Sequence, residues 1–359
     1  MMPTTIAQHI TPPMNQQREL HAALMSAISD ALVAVDHFGI PIFENSRFSD
    51  LFPRPLGMDT LWTIFEEAGI LDVFEMALEE GLPGSVKVIP TWVDGQSRYY
   101  SLSVSALKSS DGDIYGALGI FHDVTELKKA EQIRIDFVAN VSHELRTPLT
   151  AIKGYTDTVR EDIIMGRAVE PEFVEIIARN AGRLMSLIND LLDLSLLDAN
   201  ADQLERGEVS TEELTSRVAK QMSARIENRK QTLTVLNSAP RLWADPARLE
   251  QVVLNLLDNA HKYTPEGGRL TLSWEPTPEG GGVFLKVSDS GPGIAPEHHA
   301  RLFERFYRVD KARSRDMGGT GLGLAIVKHI VQRHGGTIEL DSQLGAGATF
   351  ICRFPRRRT

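Results

Sequence analysis

One cysteine in 359 residues, Cys352, excludes an intramolecular disulfide and suits a reducing compartment. No run approaches the roughly 18 apolar residues that a membrane-spanning helix requires. The start, M-M-P-T-T-I-A-Q-H-I-T-P-P, lacks both the basic and the apolar stretch of a secretion signal, so a cytoplasmic protein is expected. There is no surplus of positive charge: the net charge of −10 argues against non-specific nucleic-acid binding. Nowhere does a G-x-x-x-x-G-K-[ST] phosphate loop occur, and no glycine run has the dinucleotide spacing G-x-G-x-x-G. Neither H-R-D nor D-F-G of the serine, threonine and tyrosine kinases occurs, and the one A-P-E, at 295–297, stands without them.

What is present is a chain of ordinary globular composition, 42% hydrophobic and 24% charged, long enough for two or three domains. Its organising stretch is 133–159, I-R-I-D-F-V-A-N-V-S-H-E-L-R-T-P-L-T-A-I-K-G-Y-T-D-T-V. Ile133, Phe137, Val141 and Leu145 recur every four residues and form one stripe of a helix. His143 falls on the opposite face, toward solvent, with Glu144 beside it and Thr147 one turn on. Pro148 removes an N–H donor, so a bend is expected just after the histidine. A neutral imidazole is a usable nucleophile near neutral pH, and an adjacent carboxylate orients it and takes up its proton. A histidine beside a glutamate is more often a solvated polar face. The string S-H-E-L-R-T-P-L-T changes that weighting, because it resembles the phospho-acceptor box of sensor histidine kinases.

Upstream, the first 17 residues read as a flexible arm and Arg18–Ile28 as a short helix. Residues 31–45 give strand, turn at Asp36–Gly39, strand. Helical segments follow near 46–52, 59–67 and 70–80, then strands near 84–93, 97–107 and 113–122, joined by Asp94-Gly95 and Asp111-Gly112. That order, closed by Asp123-Val124-Thr125, resembles a PAS sensory domain over 18–125. His9, His21, His37 and His122 form no ligand cluster, and no cysteine is present there for a flavin adduct. The PAS ligand is therefore left unknown or absent, and a purely structural dimerisation module is the competing reading.

Residues 126–205 read as a signal helix and a two-helix stem. E-L-K-K-A-E-Q-I-R-I-D runs into the histidine helix without a Gly or Pro break, and M-G-R-A-V-E-P makes a turn. A second helix follows over about 172–198, with Ile177, Leu184, Leu187, Ile188, Leu191 and Leu194 on its apolar side. Two such helices expose too much apolar surface alone, so a homodimeric four-helix bundle through 126–205 is expected.

The remainder, 206–359, reads as an α/β domain: helix over 209–228, strand over 231–237, then a helix with Asp245 as N-cap and Pro246 in its first turn. Leu249, Val252, Val253, Leu256 and Leu257 face its core, whereas Arg248, Gln251, Asn255, Asn259 and Lys262 share the other face. Amides one turn apart with a lysine after them suit a Mg²⁺–triphosphate, since the hard cation takes oxygen ligands and the lysine neutralises phosphate. N-L-L-D-N-A-H-K-Y-T-P (255–265) resembles the N box of histidine kinases, and by that resemblance Asn259 holds Mg²⁺, Asn255 supports it, and Lys262 and Tyr263 contact the nucleotide. Asp289, at a strand end before S-G-P-G-I, is able to accept a hydrogen bond from an exocyclic amine while Gly291 and Gly293 permit close backbone approach. The stretch resembles the family's adenine-reading box. L-F-E-R-F-Y-R (302–308) resembles the box whose aromatics anchor a lid over 307–319, with Arg308, Lys311, Arg313 and Arg315 on it. Family position favours Arg308 and Arg313 for phosphate. G-G-T-G-L-G-L (318–324), with Gly319, Gly321 and Gly323, opens a helix to about His334 and presents N–H groups to phosphates. Strands near 336–342 and 347–353 complete the sheet.

Together these segments resemble a multidomain α+β sensor histidine kinase of a two-component system. The parts are an α/β PAS domain, a dimeric stem and an α/β-sandwich ATP domain of the kind shared with gyrase, Hsp90 and mismatch-repair ATPases (the Bergerat fold). The resemblance implies ATP and Mg²⁺ as ligands and autophosphorylation on His143 assisted by Glu144. It also implies transfer to an aspartate of a separate response regulator, with Thr147 orienting water for the reverse, phosphatase reaction. An ATP-gated conformational switch without phosphohistidine, and a catalytically quiet PAS scaffold, are the alternatives. Neither needs H-E-L-R-T-P.

Overall fold

The computed structural model describes residues 28–52, 60, 65, 68–93, 96–199, 204–278, 281–310 and 319–355. The expected arm, the helix over 18–27, most of the 59–67 segment, the Asp94-Gly95 turn, and Lys311, Arg313 and Arg315 of the expected lid lie outside the described residues. The chain divides into two compact units, Met1–Asp136 and Phe137–Thr359.

The first unit is built on a five-stranded antiparallel sheet of order β2-β1-β5-β4-β3. Its strands are β1 (Ala31–Asp36), β2 (Pro41–Glu44), β3 (Gly84–Val93), β4 (Gln96–Lys108) and β5 (Ile114–Asp123). The turn after β1 closes because Asp36 Oδ1 accepts the N–H groups of Phe38 and Ile40. Helices α1 (Ser46–Leu51) and α2 (Ala68–Glu79) cover one sheet face. Asn45 starts α1 by accepting the Phe48 N–H, and its side chain also ties to Leu32 and Asp30. Between sheet and helices sits an aromatic core: Phe48, Phe52, Phe65 and Phe121 lie 4.8 to 6.3 Å apart between ring centroids.

Helix α3 (Thr125–Ile164) runs for 40 residues, so the expected continuity into the histidine stretch is present. Pro148 lies inside it with its ring buried and does not end it. Helix α4 (Pro171–Ala199) returns after the turn at 165–170. Phe137 and Leu145 pack against the core of the second unit, and Leu187, Leu194 and Leu197 are buried in it, whereas Ile133 and Ile188 stay exposed.

The rest of the second unit is a helix-covered sheet whose strands lie in the order β11 (Thr337–Ser342), β12 (Ala348–Phe354), β10 (Val283–Asp289), β9 (Arg269–Pro276) and β7 (Thr232–Asn237). The helix over 209–228 begins two residues later than its sequence pattern suggests. Gly207–Ser210 forms β6, pairing with β8 (Arg241–Ala244), and Ser210 then caps α5 (Thr211–Asn228). A short polar strand paired locally carries too little alternation to be read from the sequence. After β7 (Thr232–Asn237) and β8, α6 (Pro246–Tyr263) buries Leu249, Val252, Val253, Leu256 and Leu257 completely, as their spacing requires. β9 (Arg269–Pro276) and β10 (Val283–Asp289) follow as antiparallel neighbours. β9 is a central strand beyond those the sequence pattern identified. A one-turn α7 (Pro296–His299), α8 (Gly323–Arg333), β11 (Thr337–Ser342) and β12 (Ala348–Phe354) complete the fold. No helix among the described residues is long and apolar enough to cross a membrane.

Asp245 is the node that places α6. Its Oδ1 accepts the Arg248 N–H at 3.1 Å and its Oδ2 the Glu205 N–H at 3.0 Å, while its own N–H donates to His334 Nε2 at 3.0 Å. Burial lowers the His334 pKa, which keeps that ring neutral and able to accept. Replacing Asp245 with Ala removes a cap and a second backbone contact. The expected loss is about 2 kcal/mol, read as a lowered midpoint in urea unfolding.

Candidate functional site

The second unit contains a cavity of about 370 Å³ between α6, the ends of β10 and β12, the glycine turn before α8, and α4. Its two ends differ chemically. At the apolar end, Ile294, Leu302, Leu324 and Phe350 surround Asp289, the last residue of β10. Burial pushes the Asp289 carboxyl above the usual carboxylate range, although the Gly291 and Ala348 backbones oppose this. The Gly291 N–H donates to Asp289 Oδ1 at 2.7 Å, and a Cβ on Gly291 would sit 2.7 Å from that oxygen and 3.0 Å from the Tyr263 carbonyl. Gly293 has φ of +68°, and a Cβ there would collide with the Gln343 carbonyl oxygen. The glycines are thus set by steric need around the carboxylate.

At the polar end, Asn255, Asn259 and Lys262 project from α6, with Tyr263 beside them, and Gly319, Gly321 and Gly323 face them. Asn255 Nδ2 donates to the Gly323 carbonyl at 3.4 Å, tying the helix to the glycine turn. Lys262 is held at 2.7 Å by Asp258, which Arg225 also meets at 2.6 Å. Although burial pushes the Asp258 carboxyl upward, the two cations hold it below its usual range. Asp258 also lines the cavity and was not singled out by the sequence reading; four residues before Lys262, it carries the helical pairing signal.

The segment 302–308 locks onto this frame. Phe303 packs edge-on against Phe350 at 6.4 Å. Phe306 takes φ of +65°, unusual for a non-glycine residue, and its N–H donates to the Gly321 carbonyl at 2.8 Å. Tyr307 shares a 2.8 Å hydrogen bond with His298 Nδ1 and carries Arg301 over its ring. Arg308 is 5% exposed at its side chain, lines the cavity, and reaches Glu144 Oε2 at 3.1 Å. Its Nε is buried without a hydrogen-bond partner among the described residues.

Two residues outside the sequence-derived set come from the stem. Arg183 of α4 meets the same Glu144 oxygen at 2.9 Å. Asp190, three residues N-terminal to Asp193, lines the cavity and accepts the Thr320 hydroxyl at 2.6 Å. Burial pushes the Asp190 carboxyl upward, and the Thr320 hydrogen bond works against this. Their only sequence signal was the polar side of a helix read for its leucines. Farther along, Asp193 accepts from Arg248 at 3.1 Å and Gln251 at 2.7 Å, and the Leu197 carbonyl accepts from Arg333 at 2.8 Å.

His143 stands on α3 with 64% of its side chain exposed. Its Nδ1 is 4.0 Å from Glu144 Oε1, so one Glu144 oxygen looks toward the imidazole while the other takes both arginines. Thr147 Oγ1 donates to the His143 carbonyl at 3.2 Å. A solvent-facing imidazole, a carboxylate on its Nδ1 side and a nearby half-apolar, half-polar cavity form a set suited to group transfer onto nitrogen.

The comparisons match this geometry segment by segment. The His Kinase A (phospho-acceptor) domain model matches residues 133–200, and the histidine kinase-, DNA gyrase B- and HSP90-like ATPase model matches 244–358. The sensor histidine kinase WalK of Bacillus subtilis is 37% identical over 345 residues, covering 94% of this chain and 56% of that protein. The phosphate regulon sensor protein PhoR of Pseudomonas aeruginosa is 41% identical over 242 residues, covering 66% of this chain and 53% of the relative. The chain therefore spans a little over half the length of these curated relatives. Among solved structures, the Acinetobacter baumannii histidine kinase AdeS superposes with a TM-score of 0.50 at 28% identity, over 60% of this chain and 98% of that one. With the acceptor-box helices and the ATPase lobe both matched, in that order and around one cavity, the chain belongs to the sensor histidine kinases of two-component systems.

Proposed function

We propose that the protein is an ATP-dependent histidine kinase that phosphorylates itself on His143 and passes the phosphoryl group to an aspartate of a separate response regulator. The observation that carries this is the pairing of an exposed imidazole on α3 with a cavity whose apolar end holds Asp289 and whose polar end holds Asn259, Lys262 and three glycines. Adenine fits the first end, its exocyclic amine donating to Asp289, and the phosphates fit the second. Mg²⁺ takes six oxygens and keeps water and phosphate among them, so a site offering the Asn259 amide with Asn255 behind it fits that demand. Among the described residues no cluster of three or more His, Cys, Asp or Glu side chains forms a separate metal cage. When bound, the ion offsets charge on the phosphates.

Because Glu144 sits on the Nδ1 side of the ring, Nε2 is the nitrogen that attacks. The lone pair forms the N–P bond in line as the bond to the ADP oxygen breaks. Glu144, 4.0 Å from Nδ1, is placed to draw in and accept that N–H as positive charge develops on the ring. Catalysis is then mostly positioning and charge neutralisation, with Arg308 and Arg313 assigned to the phosphates.

Exposed Val138, Leu149, Met185, Leu192 and Leu196 on α3 and α4 support homodimerisation through the stem, residues 126–205. The strand order of the first unit, with helices on one face, supports a PAS sensory domain over 18–125, and 206–359 is assigned as the ATP-binding domain. A kinase that consumes ATP works where ATP is, so the catalytic domains are assigned to the cytoplasm. The test is rapid phosphotransfer from labelled protein to purified receiver domains. A panel in which no receiver takes label within minutes overturns the assignment. Thr147→Ala is expected to slow dephosphorylation of the receiver by about tenfold or more while self-labelling stays within about twofold, because its hydroxyl is assigned to the attacking water and not to ATP.

A further inference from the structure

We infer that two stem carboxylates, Asp190 and Glu144, occupy donors of the ATPase lobe that a nucleotide's phosphates use, so that stem docking and triphosphate binding compete. The inference rests on the kinase reading and adds a regulation of its nucleotide site. Two contacts carry it. Thr320, inside the glycine turn, donates its hydroxyl to Asp190 at 2.6 Å, and Arg308 donates to Glu144 at 3.1 Å. Both donors line the cavity; both acceptors ride on the stem helices α3 and α4. A carboxylate edge presents the same pair of anionic oxygens that a phosphate presents to such donors, so the two anions are alternative ligands of one donor set.

Charge reinforces the geometry. Asp190 lines the cavity together with Asn255, Asn259 and Lys262, which places an acidic side chain on the wall that receives the phosphates. These contacts are also separable from the rest of the docking surface. Arg248 and Gln251 hold Asp193, and Arg333 holds the Leu197 carbonyl, all outside the cavity wall. Among the described residues, Asp289 is bonded by the Gly291 backbone and by no stem carboxylate, and the other stem residue on the cavity wall, Ser186, carries no charge. Competition therefore acts on the phosphates alone, and adenosine is the internal control.

The experiment is calorimetric titration of the full chain with ATP, with and without Mg²⁺, and with adenosine. Asp190→Asn keeps an acceptor for Thr320 but removes the charge; Glu144→Gln does the same for Arg308. Each is expected to tighten ATP binding roughly tenfold, and the pair by more than either, with adenosine within about twofold. ATP affinity that is unchanged or weaker in both variants overturns the competition; a weakening confined to Mg²⁺ would make Asp190 a partner of the metal–nucleotide instead. If the unsubstituted chain binds neither ATP nor adenosine, the nucleotide reading itself falls, and this inference with it.

Discussion

His143→Gln is expected to abolish acid-labile, alkali-stable labelling by γ-labelled ATP, a loss on the order of a thousandfold or more, since the amide offers no nucleophilic nitrogen. The same variant should bind ATP within about twofold of the unsubstituted chain, because His143 is absent from the cavity wall. It should also melt normally: the ring is 64% exposed, and substitutions at such positions shift stability by about 0.5 kcal/mol or less. This pattern separates the kinase from a gyrase-type conformational switch, whose ATP turnover would not register the change. It also separates it from a silent scaffold, in which neither protein would be labelled. Turnover of ATP that continues unchanged in His143→Gln, with no label on either protein, would sink the kinase assignment.

How much of this was legible beforehand depended on whether a signal was local. Asp245 followed by Pro246 marks a helix start by chemistry within four residues, and the apolar spacing from Leu249 to Leu257 fixes which face is buried. Asp289 and the glycines after it could be singled out because a carboxylate at a strand end followed by forced turns is a short-range pattern. The strands β6 and β8 could not, since each is four residues long and each exists only because the other pairs with it. Asp190, Arg183 and Asp258 were missed for a related reason. Their roles come from partners 39 to 130 residues away, or from a polar helix face that reads as solvated in isolation. Arg308 shows the same limit: its sequence position pointed to phosphate, and the structure adds a carboxylate partner on another helix.

The second large effect is at Asp289. Adenine presents a donor amine where guanine presents an acceptor oxygen, so a carboxylate, which only accepts, selects adenine. Asp289→Asn is expected to weaken ATP binding by roughly 10- to 100-fold, the worth of a hydrogen bond to a charged partner. It should also narrow the gap between ATP and GTP, because the new amide is able to donate to the guanine oxygen. The pH dependence follows from the direction of the carboxyl's shift. Burial raises the Asp289 pKa, so on acidification the folded protein takes up a proton there before an ordinary exposed carboxylate would. Adenine needs the ionised form, and binding therefore releases that proton; affinity must fall as pH drops into the raised range and level off above it. Adenosine is the ligand to use, since it carries no phosphate that titrates. Its affinity should decline on acidification for the unsubstituted chain and be flatter for Asp289→Asn. Parallel pH curves for the two proteins would show that the base is read by something other than this carboxylate.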